Sequence, residues 1–248
     1  MFVVSRIRSV ILSLAVLSAL AGAPPAGADQ PPDRLIGLLA LPQLFGHGPC
    51  DKYEAHSLAL YAYHDSTVAL GEVRVDTPWT FHEVGGCGGL EIGVHLFGAQ
   101  GSATTLPTRE FGYEEPGALV LSRRGIRFRI ALEDGAAWVE PLAGAAFHPM
   151  ETLVAENLSY LTGAWNGMVC AEPGQAGTCR AIDPGPGQEP GVTVLGHRNI
   201  EGRLWFRIEL PSRETCGEPV PAIPRTTGWI SGHDNNGGPA IWFHSRGC

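Results

Sequence analysis

Arg127-Phe128-Arg129-Ile130-Ala131-Leu132-Glu133-Asp134-Gly135-Ala136-Ala137-Trp138-Val139 is the stretch from which the rest of the chain is read. Side chains of a strand alternate between faces, so Phe128, Ile130 and Leu132 share one side while Arg127, Arg129 and Ala131 share the other. Glu133-Asp134-Gly135 supplies a turn, after which Ala137-Trp138-Val139 returns as a partner strand. The design recurs downstream. Trp205-Phe206-Arg207-Ile208-Glu209-Leu210 repeats the alternation with Phe206, Ile208 and Leu210 on the buried side, and Gly228-Trp229-Ile230 follows. Each copy is preceded by Glu-Pro-Gly, at Glu115-Pro116-Gly117 and at Glu172-Pro173-Gly174.

Outward from these copies the chain keeps a β character. Leu58 and Leu60, then Val68, Leu70, Val73 and Val75, come in short runs broken by Asp65-Ser66 and Asp76-Thr77-Pro78. Further strand candidates are 90–96, 118–121, 126–132, 137–139, 192–195, 204–210, 229–230 and 241–243. Asn236-Gly237 predicts a hairpin joining the last two. One segment has the helical period: residues 150, 153, 154, 158 and 161 fall on one face behind Pro149, which predicts a three-turn helix ending near Gly163. Residues 35–44 are apolar without alternation and contain Pro42, which reads as a short helix or an extended packing segment. With 33 Gly and 20 Pro in 248 residues, the composition suits a turn-rich β protein.

The first 28 residues read as an export signal. Arg6 and Arg8 precede an apolar run from Val10 to Leu20, too short to span a bilayer, and Ala26-Gly27-Ala28 supplies a small-x-small cleavage pattern before Asp29. Removing residues 1–28 takes away two arginines and no acid, lowering 17 basic residues to 15 against 25 acidic and the net charge from −8 to −10. The expected product is secreted or periplasmic, without a membrane anchor. Its acidity and the absence of any basic run beyond Arg123-Arg124 argue against nucleic acid as a partner. All six cysteines, Cys50, Cys87, Cys170, Cys179, Cys216 and Cys248, follow the signal, and an even count in an oxidising compartment predicts disulfides. Sequential pairing, Cys50 with Cys87, Cys170 with Cys179 and Cys216 with Cys248, keeps each bridge within one region. Each closed loop would stabilise the fold by roughly 2.5–4 kcal/mol. His47-Gly48-Pro49-Cys50 has a ligand-like spacing but no companion pair, so no metal and no cofactor are expected.

Catalytic patterns are not visible. None of the nine histidines stands in a metal-protease or similar motif, and no Gly-x-Ser-x-Gly occurs. His233-Asp234 lies in a string of turn formers, and Gly85-Gly86-Cys87-Gly88-Gly89 reads as a tight turn around a disulfide. The expectation is a protein that is not an enzyme. Binding falls to the aromatic residues. Trp138 and Trp229 occupy equivalent repeat positions and are expected in the cores, whereas Trp205 and Trp242 are candidates for surface contact. Arg129 and Arg207 project from the outward face of their strands and are candidates to meet ligand carboxylates.

The pattern Trp/Arg-Phe-Arg-Ile-x-Leu, an acidic-Gly turn, then Gly/Ala-Trp-Val/Ile resembles the central strands of bacterial Src-homology-3-like domains. Tyr113-Glu114-Glu115-Pro116 and Leu60-Tyr61-Ala62-Tyr63 with Val68-Ala69-Leu70-Gly71-Glu72-Val73 are similar to the openings of such domains. The resemblance covers 108–148, and 166–248 in an expanded form, with 53–105 as a partial third copy. Arg127 stands where the family has an aromatic residue, and a Cys- and Pro-rich insertion separates Leu210 from Trp229. The resemblance implies an all-β fold of tandem small Src-homology-3-like barrels with one short packing helix and disulfides. The implied organisation is a signal peptide (1–28), an N-terminal β region (29–107), one unit with the helix (108–165) and a second unit with insertions (166–248). It also implies a binding module that recognises a cell-wall peptide, peptidoglycan or an envelope protein. The rival readings are an envelope hydrolase or hydrolase inhibitor, and a structural or assembly protein of the envelope.

Overall fold

The structure is a computed structural model that describes residues 33–41, 56–77, 80–82, 86–88, 91–97, 104–113, 115–183, 189–212 and 225–246. The expected signal, residues 1–28, lies outside them. In chain order the strands are β1 (Gly37–Ala40), β2 (Ser57–Tyr61), β3 (Gly71–Thr77), β4 (Thr80–His82), β5 (Gly86–Gly88), β6 (Glu91–Leu96), β7 (Thr104–Thr105), β8 (Thr108–Gly112), β9 (Glu115–Arg124), β10 (Arg127–Leu132), β11 (Gly135–Val139) and β12 (Phe147–Pro149). The helix α1 (Met150–Glu156) follows. Then come β13 (Ser159–Leu161), β14 (Met168–Cys170), β15 (Cys179–Ala181), β16 (Gly191–Ile200), β17 (Arg203–Leu210), β18 (Thr226–Ser231) and β19 (Ile241–Phe243). The protein is therefore mostly antiparallel β, as expected.

Two large sheets account for all strands except the β4–β5 ribbon. The first runs β12-β1-β9-β10-β11-β2-β3-β6-β7, with β8 added to β9; the second runs β19-β13-β16-β17-β18-β14-β15. Setting aside β4–β8, each sheet holds seven strands in one order: seventh, first, fourth, fifth, sixth, second, third. The registers agree as well. Phe128, Arg129 and Ile130 lie opposite Val139, Trp138 and Ala137, while Phe206, Arg207 and Ile208 lie opposite Ile230, Trp229 and Gly228. Each fourth strand skips one residue against the fifth, Leu121 on β9 and Leu195 on β16, so the same β-bulge falls at the same place. Residues 53–105 contribute β2, β3, β6 and β7 to the sheet that contains β9–β11.

This register also relocates the Glu-Pro-Gly marker. Gly117 lies opposite Ala40 and Gly191 opposite Tyr160, so Glu189-Pro190-Gly191 matches Glu115-Pro116-Gly117. Glu172-Pro173-Gly174 stands instead in the turn between β14 and β15, where Gly174 takes a φ of +79°. A proline at the start of a strand costs no ladder hydrogen bond, which explains its place at the mouth of β9 and β16. Gly117 is required by packing, because a Cβ there would come within 2.9 Å of the Leu38 Cβ.

The inner faces make two cores. One gathers Leu60, Val73, Val120, Phe128 and Ile130; the other gathers Leu161, Phe206, Ile208, Leu210 and Ile230 together with Met150, Leu153 and Val154 of α1. Strand β1 belongs to both, with Leu39 in the first core and Leu38 in the second. Burial on both faces removes the alternation, and that is why the segment 35–44, read as a short helix or an extended packing segment, contributes the strand β1. The helix is shorter than its periodicity suggested. It stops at Asn157, whose amide donates to the Leu153 carbonyl, while the Ser159 hydroxyl donates to that of Val154, and Leu161 is already in β13. Val68 and Leu70, expected in a strand, lie in the turn from β2 to β3, with Val68 exposed.

Asn236-Gly237 does make a turn, closed by the bridge between His233 and Pro239, but it joins no hairpin of β18 with β19. Both edges of β18 are taken by β17 and β14, so the chain crosses to the free edge of β13. The Asp234 carboxylate accepts from the backbone N–H groups of Asn236 and Gly238. Cys170 and Cys179 are disulfide-bonded, as expected from sequential pairing. Cys50, Cys216 and Cys248 lie outside the described residues, and of Cys87 only the backbone in β5 is described. No helix among the described residues is long and apolar enough to cross a membrane.

Candidate functional site

Alternation on β17 sends Phe206 and Ile208 inward and Trp205 and Arg207 outward, so both of these selected residues share the outer face of the second sheet. Trp229 is their neighbour on β18, opposite Arg207. Trp138 and Trp229, expected in the cores, are buried, at 9% and 8% exposure, on the sheet faces they share with Arg129 and Arg207, the residues they oppose. They are covered from outside. His64 leans on Trp138 at 5.5 Å between ring centroids, and the Arg198 guanidinium lies 5.0 Å from the Trp229 ring.

Trp205 occupies the position of Arg127, each opposite an arginine of the preceding strand, Arg198 and Arg124. In the first sheet Arg127 clamps the turn between β2 and β3. It donates to the Ser66 carbonyl at 2.6 Å and the His64 carbonyl at 3.2 Å, and its guanidinium lies 4.0 Å from the Tyr61 ring. In the second sheet the corresponding turn, between β14 and β15, is tied at its base by the Cys170–Cys179 bridge, whose cysteines stand opposite each other. The clamp is absent there. The half-buried Trp205 carries an indole N–H that is shielded from solvent and has no acceptor among the described residues. A buried donor without a partner costs about 1–3 kcal/mol, so its persistence asks for a role.

The other selected residues do not join this face. Arg129, the counterpart of Arg207, is ion-paired with Asp33. Trp242, proposed as a surface residue, is only 3% exposed, because β13 pairs alongside it and Arg109 lies over its ring at 4.9 Å. It floors a separate groove of about 360 Å³ between β8 and the β13–β19 pair. Arg109, Glu110, Tyr160, His244, Ser245 and Arg246 line that groove. Arg246 forks onto the Glu110 carboxylate, with the Nε at 2.7 Å, and holds that carboxyl below its ordinary pKa.

Sequence reasoning selected none of these groove residues except Trp242. One signal was present: Phe147-His148 and Phe243-His244 are equivalent in register, each following its sheet's seventh-strand pairing to the first.

His233 is buried and its Nε2 lies 2.6 Å from the Leu35 carbonyl, which fixes the neutral tautomer with the proton on Nε2. Burial lowers its pKa from 6.5. The pair His233-Asp234 thus ties a turn to the lead-in of β1. Among the described residues no group of three or more His, Cys, Asp or Glu is arranged to hold a metal ion. Comparison with family models, with curated proteins and with solved structures found no match.

Proposed function

We propose that the protein is an exported, non-catalytic binding module of the cell envelope, built from two Src-homology-3-like units, and that the Trp205 face is where it holds its ligand. The observation that carries this reading is the indole N–H of Trp205, which has no partner among the described residues. A peptide or glycan carbonyl is the acceptor it lacks, and the ring offers a planar face beside it. Arg207, exposed on the same face, supplies a charge for a ligand carboxylate. The shared strand order and bulge of the two sheets support reading them as tandem copies. The candidate ligands are a cell-wall peptide, peptidoglycan or an envelope protein.

Co-sedimentation of the purified, oxidised protein with peptidoglycan at low and high salt tests the reading. Contacts of stacking and burial survive salt, whereas attraction between exposed charges is screened. Retention is expected at both salt concentrations, with Trp205→Ala weakening it by about tenfold, as expected for loss of a well-packed aromatic contact. Equal retention of the variant would remove Trp205 from the site. Absence of retention at either salt would eliminate peptidoglycan and leave the peptide and protein ligands.

A further inference from the structure

The groove beside Trp242 is a different place from the Trp205 face, and its makeup is not dictated by the fold. Tyr160 and Trp242 stand opposite each other across β13 and β19. At the equivalent positions of the first sheet stand Ala40 and Ala146, joined by a hydrogen bond from the Ala40 N–H. The strand pair therefore does not need two large aromatic side chains. In that first sheet His148, the counterpart of His244, is covered by Phe111, stacked at 4.4 Å. In the second sheet His244 lies against Tyr160 at 4.7 Å, and the groove remains open.

The charges in the groove are unevenly matched. Arg246 is neutralised by Glu110, whereas Arg109, exposed two residues before Phe111, has no carboxylate partner among the described residues. Its guanidinium lies over Trp242 and shares the lining of the groove with the Tyr160 hydroxyl, near enough to oppose the rise of its pKa. A guanidinium over a ring face keeps its N–H donors at the edge of its own plane, and Arg109 lines the groove where a ligand can meet them. Burial and the nearby charge of Glu189 raise the Tyr160 pKa, so this hydroxyl keeps its proton and can donate it.

We propose that this groove is a second ligand site that takes a singly charged carboxylate, such as a free peptide C-terminus, on the Arg109 guanidinium with the Tyr160 hydroxyl as the second donor. A planar carboxylate matches two N–H groups of the fork. Glu189 sets the limit on charge: Glu110 is offset by Arg246, so a phosphate dianion would gain more from Arg109 but also meet the Glu189 carboxylate, and the site favours the monoanion.

Titration of N-acetyl-alanyl-alanine into the oxidised full chain, followed by calorimetry and by the Trp242 indole N–H resonance, tests the site. One saturable event that moves this resonance is expected. The C-terminal amide of the same dipeptide should bind at least about tenfold more weakly, and Arg109→Met should lose about as much, since each removes one charge-assisted pair. Arg109→Lys keeps the charge without the fork and should fall between. Trp205→Ala should leave this affinity unchanged, which separates the site from the one proposed above. Equal binding of the amide, displacement by inorganic phosphate at equal concentration, full affinity in Arg109→Met, or no saturable binding would each overturn the proposal.

Discussion

The setting of His233 predicts a pH response. Its ring is buried against the Leu35 carbonyl; Arg34 opposes its protonation and Asp234 favours it, with burial the larger influence. The folded pKa lies below the unfolded 6.5, so between the two values the unfolded chain binds the extra proton. The stability that His233 contributes is complete above pH 6.5 and declines as the pH falls toward the folded value. Glu110 behaves in the same direction in a lower window, below its ordinary 4.5, because Arg246 holds its carboxyl down. Chemical denaturation measured between about pH 7.5 and 5 should show stability falling with pH in the native chain and a flatter profile in His233→Gln. An identical slope in the variant would assign the pH dependence elsewhere.

At the scale of elements, the Cys170–Cys179 bridge replaces with a covalent tie what Arg127 does with hydrogen bonds in the first sheet. The two turns have one length: Tyr61 and Leu70 are separated as Cys170 and Cys179 are, nine positions apart. Closing so short a loop stabilises by about 2.5 kcal/mol in the chain-entropy account. The double variant Cys170→Ser, Cys179→Ser should therefore lower the denaturation midpoint by that equivalent, and an unchanged midpoint would mean that the turn is held by other contacts. Strands with one wet face were legible, because Phe128-Arg129-Ile130 and Phe206-Arg207-Ile208 write their alternation into the sequence. Strand β1 was not, being buried on both faces, and the end of α1 was hidden because Leu158 and Leu161 continue its period beyond Asn157. The groove was hidden for another reason. Its residues come from 109–110, 160 and 242–246, so no local spacing announces them.

At the scale of the molecule, the equality of strand order in the two sheets suggests two separable domains, and the packing argues otherwise. The described residues, from 33 to 246, form one compact unit. The second core takes Leu35 and Leu38 from the lead-in and first strand of the other sheet, and α1 from the connection between them. Gly237, with φ +87°, sits so close to the backbone of Asp33 that a Cβ would lie 1.9 Å from its carbonyl oxygen, locking the turn of the second sheet onto the approach to β1. Leu38 and Leu39, adjacent in sequence and almost without exposure, each anchor a different core. Truncating either to alanine should cost about 2–5 kcal/mol. Because β1 is common to both cores, the loss should appear as one shifted transition. Denaturation followed in parallel by tryptophan fluorescence and far-ultraviolet circular dichroism should give coincident curves for the native chain, Leu38→Ala and Leu39→Ala. Two transitions, with Leu38→Ala shifting one and Leu39→Ala the other, would show that the halves fold independently and that β1 does not couple them.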